Sequence, residues 1–152
     1  MTSDESLITD RLRGAVGKAS EPRRFVVDRT VAARLAEALD EDPEAVRAAP
    51  HPPVYYVAAF ETLMNEPDLP EGIGPSVLAG DDWELRRPLR WDEQLTCVGR
   101  LADVYERFSG RRGRTLYARH EWTFTDEAGE VVAVGRRIFA RFFPPGASEE
   151  AP

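Results

Sequence analysis

Val54 to Met64 (VYYVAAFETLM) constrains the fold more than any other stretch, because it is apolar nearly all round. Glu61 and Thr62 are its only polar positions. A helix of that composition has no face to offer to water and is buried on more than one side. The fold must therefore wrap this segment. The residues after it change period, from helical spacing to the alternation of strands. The expected class is α+β, with an antiparallel sheet packed on one helix.

Arg24 to Asp28 is a short β-type run, and Asp28 and Thr30 are cap-type residues before a helix bearing Val31, Leu35 and Leu39. Asp42-Pro43 opens a second short helix, since proline suits a first turn. Pro50-His51-Pro52-Pro53 breaks the chain before the apolar segment, and Pro67 to Pro75 marks an irregular loop after it. In the second half, Trp83, Leu85 and Leu89 alternate with polar residues. Gln94 to Phe108 is a long strand whose alternation slips near Leu101-Ala102, which predicts a bulge. Gly110 to Arg114 (GRRGR) is a turn; Thr115 to Thr125 puts Leu116, Ala118, His120, Trp122 and Phe124 on one face. Asp126 to Gly129 is a hairpin turn, and Val131 to Phe143 closes the sheet.

Composition narrows the function classes. The formal charge of -7 disfavours a nucleic-acid partner. No apolar run approaches the roughly 18–20 residues that cross a bilayer, and Met1 to Asp10 carries three acids and no base, unlike a secretory or mitochondrial leader. The expectation is a cytoplasmic protein without a membrane partner. The single Cys97 excludes an internal disulfide and reads as a small buried hydrophobe, and two histidines argue against a structural zinc site. No metal is expected. Among single residues, His120 sits on an apolar strand face, where its ring needs a hydrogen-bond partner. His51 is a loop histidine at the mouth of the apolar helix, and Glu61 is a carboxylate on that helix.

Gly80 to Thr96 (GDDWELRRPLRWDEQLT), then Leu101 to Arg107 (LADVYER), then Asp126 to Val134 together resemble the MaoC-like dehydratase family. The branch that fits is its N-terminal, fatty-acid-synthase-type dehydratase domain. The resemblance covers Phe25 to Phe142. It implies a hot-dog fold, in which a five-stranded antiparallel sheet wraps a long central helix, here Val54 to Met64. The corresponding division is a flexible segment 1–21, a hot-dog domain 22–145 and a disordered acidic tail 146–152.

The resemblance also implies a function. The family binds acyl thioesters of coenzyme A or acyl carrier protein, and its active members interconvert trans-2-enoyl and (R)-3-hydroxyacyl groups. No cofactor is implied beyond the coenzyme A or phosphopantetheine of the substrate. Hot-dog units pair, with an acyl tunnel along the interface; Val54, Tyr55, Tyr56, Phe60 and Trp122 are the positions that would line it. Arg111, Arg112 and Arg114 would meet phosphate or carrier protein, unless the arginines merely solvate a hairpin tip.

Active members carry an Asp and a His in a G-D-x-N-P-x-H motif. Leu39 to Ala45 (LDEDPEA) matches it at Asp40 and Pro43, but Ala45 stands in the place of the histidine. Alanine neither accepts a proton nor orients water. Asp40 alone then reads as a capping or solvated carboxylate. Three readings stay open. One is a non-catalytic subunit of a heteromeric (R)-3-hydroxyacyl dehydratase or enoyl hydratase, partnered as a heterodimer with a dyad-bearing hot-dog chain. The second is a homodimeric hydratase or thioesterase using Asp40, His51, His120 or Glu61. The third is an acyl-thioester binding module without turnover.

Overall fold

The computed structural model describes residues 6–64, 76–109 and 113–142. One sheet organises them. Its strands are β1 (Arg23–Val26), β2 (Ser76–Leu85), β3 (Gln94–Ser109), β4 (Gly113–Thr125) and β5 (Val131–Phe142). The five strands lie in the order β1-β3-β4-β5-β2, and every neighbouring pair is antiparallel. The long strand β3 carries its register shift between Leu101 and Asp103, where the alternation slips in the sequence. The β4–β5 turn is closed by Asp126, whose Oδ1 accepts from the N–H groups of Ala128 and Glu130, while Gly129 takes φ +80°.

The sheet has a concave and a convex face, set by the alternation of β4. Leu116, Ala118, His120, Trp122 and Phe124 are all buried on the concave side. The convex side is polar. There Glu121 takes hydrogen bonds from Arg100 and Arg136, and Arg136 also pairs with Asp82 and Glu84. Burial pushes the Glu121 carboxyl up, but these two guanidinium partners outweigh it and leave its pKa below the usual range.

Helices cover the concave face. Before β1, α1 (Asp10–Ala15) is capped by Thr9 and inserts Leu12 against Leu101, Leu116 and Ala118. The chain then runs along β3, with Gly17 N–H donating to the Leu101 carbonyl at 2.8 Å and Ser20 N–H to that of Gly99 at 2.7 Å. After β1 come α2 (Arg29–Ala38) and α3 (Pro43–Ala48), capped by Asp28 and Asp42 as their sequences predict. The buried face of α2 differs from the expected one. Ala32, Ala33 and Ala36 face the core, while Val31 and Leu39 are 36% and 54% exposed. Alanines let the helix axis approach its neighbours closely, and the larger residues are left outside.

Val54–Leu63 is helical as expected, but wound as ten residues of 3₁₀ helix rather than as a long α-helix. Pro52 and Pro53 precede it, and its first bond runs from Tyr56 N–H to the Pro53 carbonyl at 3.0 Å. The strand expected around Trp83 to Leu89 is shifted. It starts at Ser76 and ends at Leu85, while Leu89 is buried in the loop beyond it. Among the described residues no helix is long and apolar enough to cross a membrane.

Candidate functional site

The 3₁₀ helix lays one face onto the sheet and points the other outward. Tyr56 and Phe60 are 2% and 0% exposed, whereas Val54 at its start is 75% exposed. Phe60 stacks on Phe124 with centroids 4.6 Å apart and meets Phe25 edge-on at 5.0 Å. Tyr56 packs edge-on against Phe60 and Trp91, and its hydroxyl accepts from the Asp28 N–H at 2.8 Å. One buried tyrosine thus ties the 3₁₀ helix to the start of α2. Trp122 joins the same core from β4.

The five positions assigned to ligand contact therefore split. Tyr56, Phe60 and Trp122 form the wall of the core, while Val54 and Tyr55 are the ones on its outer rim. The N–H groups of Val54 and Tyr55 precede the first intrahelical bond, so they lack intrahelical acceptors. Donors of that kind suit an oxygen on which negative charge develops. The Tyr55 hydroxyl donates to Glu41 Oε2 at 2.7 Å; loss of solvation and this carboxylate push its phenol up to about 12.

The stretch aligned with the dehydratase motif lies outside this site. Asp40 is an exposed residue at φ 60°, just after the last turn of α2. Asp42 caps α3 through the Glu44 N–H at 2.9 Å, Pro43 is the first helical residue, and Ala45 is exposed. Helix initiation thus accounts for the Asp-Pro pair. His51 lies exposed in the loop before the 3₁₀ helix.

Glu61 is held rather than poised. It pairs with Arg137 at 2.5 Å, and Arg137 also pairs with Asp81 at 3.2 Å. Cys97 is buried, and loss of solvation pushes its thiol up to about 12, far from a reactive thiolate. Arg114 reaches Glu106, whose carboxylate also receives the Leu7 N–H and the Ser6 hydroxyl; Arg111 and Arg112 fall outside the described residues. Among the described residues no three His, Cys, Asp or Glu converge as metal ligands would.

His120 is fully buried on the concave face, stacked on Trp122 at 5.7 Å and edge-on to Phe139 at 5.5 Å. Burial, and then the charge of Arg141, pull its pKa down to about 4. The ring is neutral at pH 7.

One charged cluster lies outside the positions singled out in the sequence. Arg87, in the RPL segment, bonds Glu93 at 2.7 Å and Asp126 at 3.2 Å, and Glu93 also accepts the Arg90 N–H. This triad pins the loop after β2 to the β4–β5 hairpin. The sequence carries its signal in the RPL segment, which sets an arginine six residues before a carboxylate. Two surface cavities lie away from the aromatic wall. One, of about 420 Å³, opens among Arg100, Arg119, Glu121 and Arg136 on the convex face, and the other, of about 370 Å³, lies beside the Arg87 triad.

A five-stranded antiparallel sheet with its concave face closed by a helix defines a hot-dog protein. Residues 15–134 match the family described as FAS1-like, dehydratase domain region, and the chain belongs to it. Solved structures of the same fold include the MaoC-like dehydratase of Rhodospirillum rubrum, at 21% identity and TM-score 0.59, covering 86% of this chain and 94% of that one. A chain of the ChsH1–ChsH2 complex of Mycobacterium tuberculosis aligns at 15% identity and TM-score 0.68, covering 93% and 94%. A chain of the truncated HadBC (3R-hydroxyacyl-ACP dehydratase) complex of the same organism aligns at 17% and 0.56, covering 83% and 96%. No curated protein matches the sequence.

Proposed function

We propose that this chain binds acyl thioesters of coenzyme A or acyl carrier protein and is the non-catalytic subunit of a heteromeric (R)-3-hydroxyacyl dehydratase or enoyl hydratase. The observation that carries the reading is Ala45. The chain matches the dehydratase family over residues 15–134, yet the motif's histidine position is an exposed alanine on a surface helix. Both histidines present are poor substitutes. His51 is a loop residue without a carboxylate beside it in the sequence, and His120 is sealed from solvent. The heteromeric ChsH1–ChsH2 and HadBC assemblies supply a precedent for pairing between hot-dog chains.

In this reading the thioester carbonyl rests at the N–H groups of Val54 and Tyr55, and the proton-transfer pair comes from the partner chain. Strand β2 supports pairing as well. It ends one side of the sheet with Val77 and Leu78 half exposed, and an open edge of that kind favours a second sheet. Titration calorimetry with crotonyl-CoA and with crotonyl-loaded carrier protein tests the binding half. Saturable heat with one of them is expected, weakened by Val54→Pro, which removes the first donor. No heat with either would overturn the reading. Light scattering is expected to show a dimer; a lone 17.0 kDa species, even with a dyad-bearing hot-dog chain present, would argue against pairing.

A further inference from the structure

His120 and Arg137 are direct cross-strand partners of β4 and β5, so their side chains leave the sheet on the same, concave face. His120 is 0% exposed and the Arg137 side chain is 14% exposed. Among the described residues, neither ring nitrogen of His120 has a hydrogen-bond partner, and the Nε of Arg137 has none. Three buried nitrogens thus lack partners on two residues that face each other. Each such group left unsatisfied costs about 1–3 kcal/mol, so a cluster of them marks a place built to receive polar atoms.

The surroundings say which atoms. Above and below along β4 the neighbours are Trp122 and Ala118, and the β3 residue opposite is Leu101. The body of a ligand here is therefore apolar. Arg137 is already neutralised by Glu61 and Asp81, and His120 is neutral. A full negative charge would meet two carboxylates next to the guanidinium and gain little. A hydroxyl fits better: it accepts from the Arg137 Nε–H and from the protonated nitrogen of His120, or donates to the other. The element over this part of the face is α1, whose Leu12 packs with Leu101, Leu116 and Ala118.

We propose that His120 and Arg137 form a recognition point for an uncharged oxygen carried on the acyl chain away from the thioester, so that the site selects oxygenated over plain alkyl chains. This rests on the acyl-thioester reading above. A hydrogen bond to an otherwise unsatisfied buried group is expected to give about a tenfold preference.

The test is calorimetry on the full chain with octanoyl-CoA and with octanoyl-CoA bearing a mid-chain or terminal hydroxyl. The hydroxylated ligand is expected to bind about tenfold tighter. His120→Phe, which keeps the ring against Trp122, is expected to abolish that preference and retain octanoyl-CoA binding. A second measurement needs no folded His120 variant. In His51→Gln the only imidazole NMR signals belong to His120, and they are expected to shift with the hydroxylated ligand far more than with the plain one. Equal affinity and equal shifts for all ligands would overturn this inference and leave acyl binding intact. No binding of any of them would overturn both.

Discussion

Trp83 lies over Gly135, its strand partner, so closely that a Cβ on the glycine would fall 2.9 Å from two ring carbons. Gly135 is at the same time the β4 partner of Trp122. The missing side chain lets Trp83 reach across to Phe60 at 5.8 Å and Phe124 at 5.7 Å, closing the aromatic wall beneath the 3₁₀ helix. A rigid indole cannot yield as a flexible chain end would. Gly135→Ala is expected to destabilise the fold by about 1–3 kcal/mol, the usual cost of overpacking, read as a lower urea midpoint. An unchanged midpoint would show that the indole has room to move.

Phe60 is the residue on which the helix-to-sheet contact depends, being fully buried among Phe25, Tyr56, Trp83 and Phe124. Phe60→Ala is expected to cost about 3–5 kcal/mol, while Val54→Ala, at an exposed position of the same helix, should stay within about 0.5 kcal/mol. Similar losses in the two variants would contradict the orientation of this helix.

Much of this arrangement is legible in the sequence, for physical reasons that differ by element. The strands β3 to β5 are readable because one face is buried and the other wet, which writes a period of two into the residues. Even the bulge shows, as a slip at Leu101-Ala102. The start of β2 does not. At the sheet's edge Val77, Leu78, Asp81 and Asp82 meet no consistent inside and outside, so no alternation records the strand. The buried face of α2 is hidden for the opposite reason, since packing selects the smallest residues there. At the site, the aromatic wall follows from the apolar run at Val54. The ion pair of Glu61 with Arg137 does not, because their contact depends on how the 3₁₀ helix crosses the sheet.

The buried histidine gives a pH dependence with a definite sign. His120 is held neutral down to about pH 4 in the folded chain, by burial first and the charge of Arg141 second, against 6.5 for an ordinary histidine. The groups around it from β5 are Arg137 and Arg141, Leu101 on β3 is apolar, and Glu61 and Asp81 are engaged by Arg137. Between those two pH values the unfolded chain takes up a proton that the folded chain refuses. Stability is therefore intact above about pH 6.5 and falls as the pH drops toward 4, by about 3 kcal/mol in all. Asp28, Glu121 and Asp126, with lowered pKa values, act mainly below that window. Urea unfolding at pH 7 and pH 5 should show the loss in the native sequence and a much smaller one in His120→Phe. Parallel losses would assign the effect to other groups.

Restoring the motif's histidine should not restore an enzyme. Ala45 is exposed on α3, and its neighbour Asp42 is committed to capping that helix. Ala45→His is expected to change hydration of crotonyl thioester less than tenfold, because a proton-transfer group contributes its roughly 10²–10⁴-fold only when it reaches the substrate. A gain of a hundredfold or more would place the acyl group beside α3.

In the proposed function this chain holds acyl thioester but leaves proton transfer to another subunit. Hydration of crotonyl thioester, followed by the loss of enoyl absorbance, tests it with this chain alone, a dyad-bearing hot-dog chain alone, and the two together. Near-background turnover is expected from this chain, and a rate from the mixture above that of the partner alone. Robust turnover by this chain by itself, abolished by His120→Ala or His51→Ala, would contradict it.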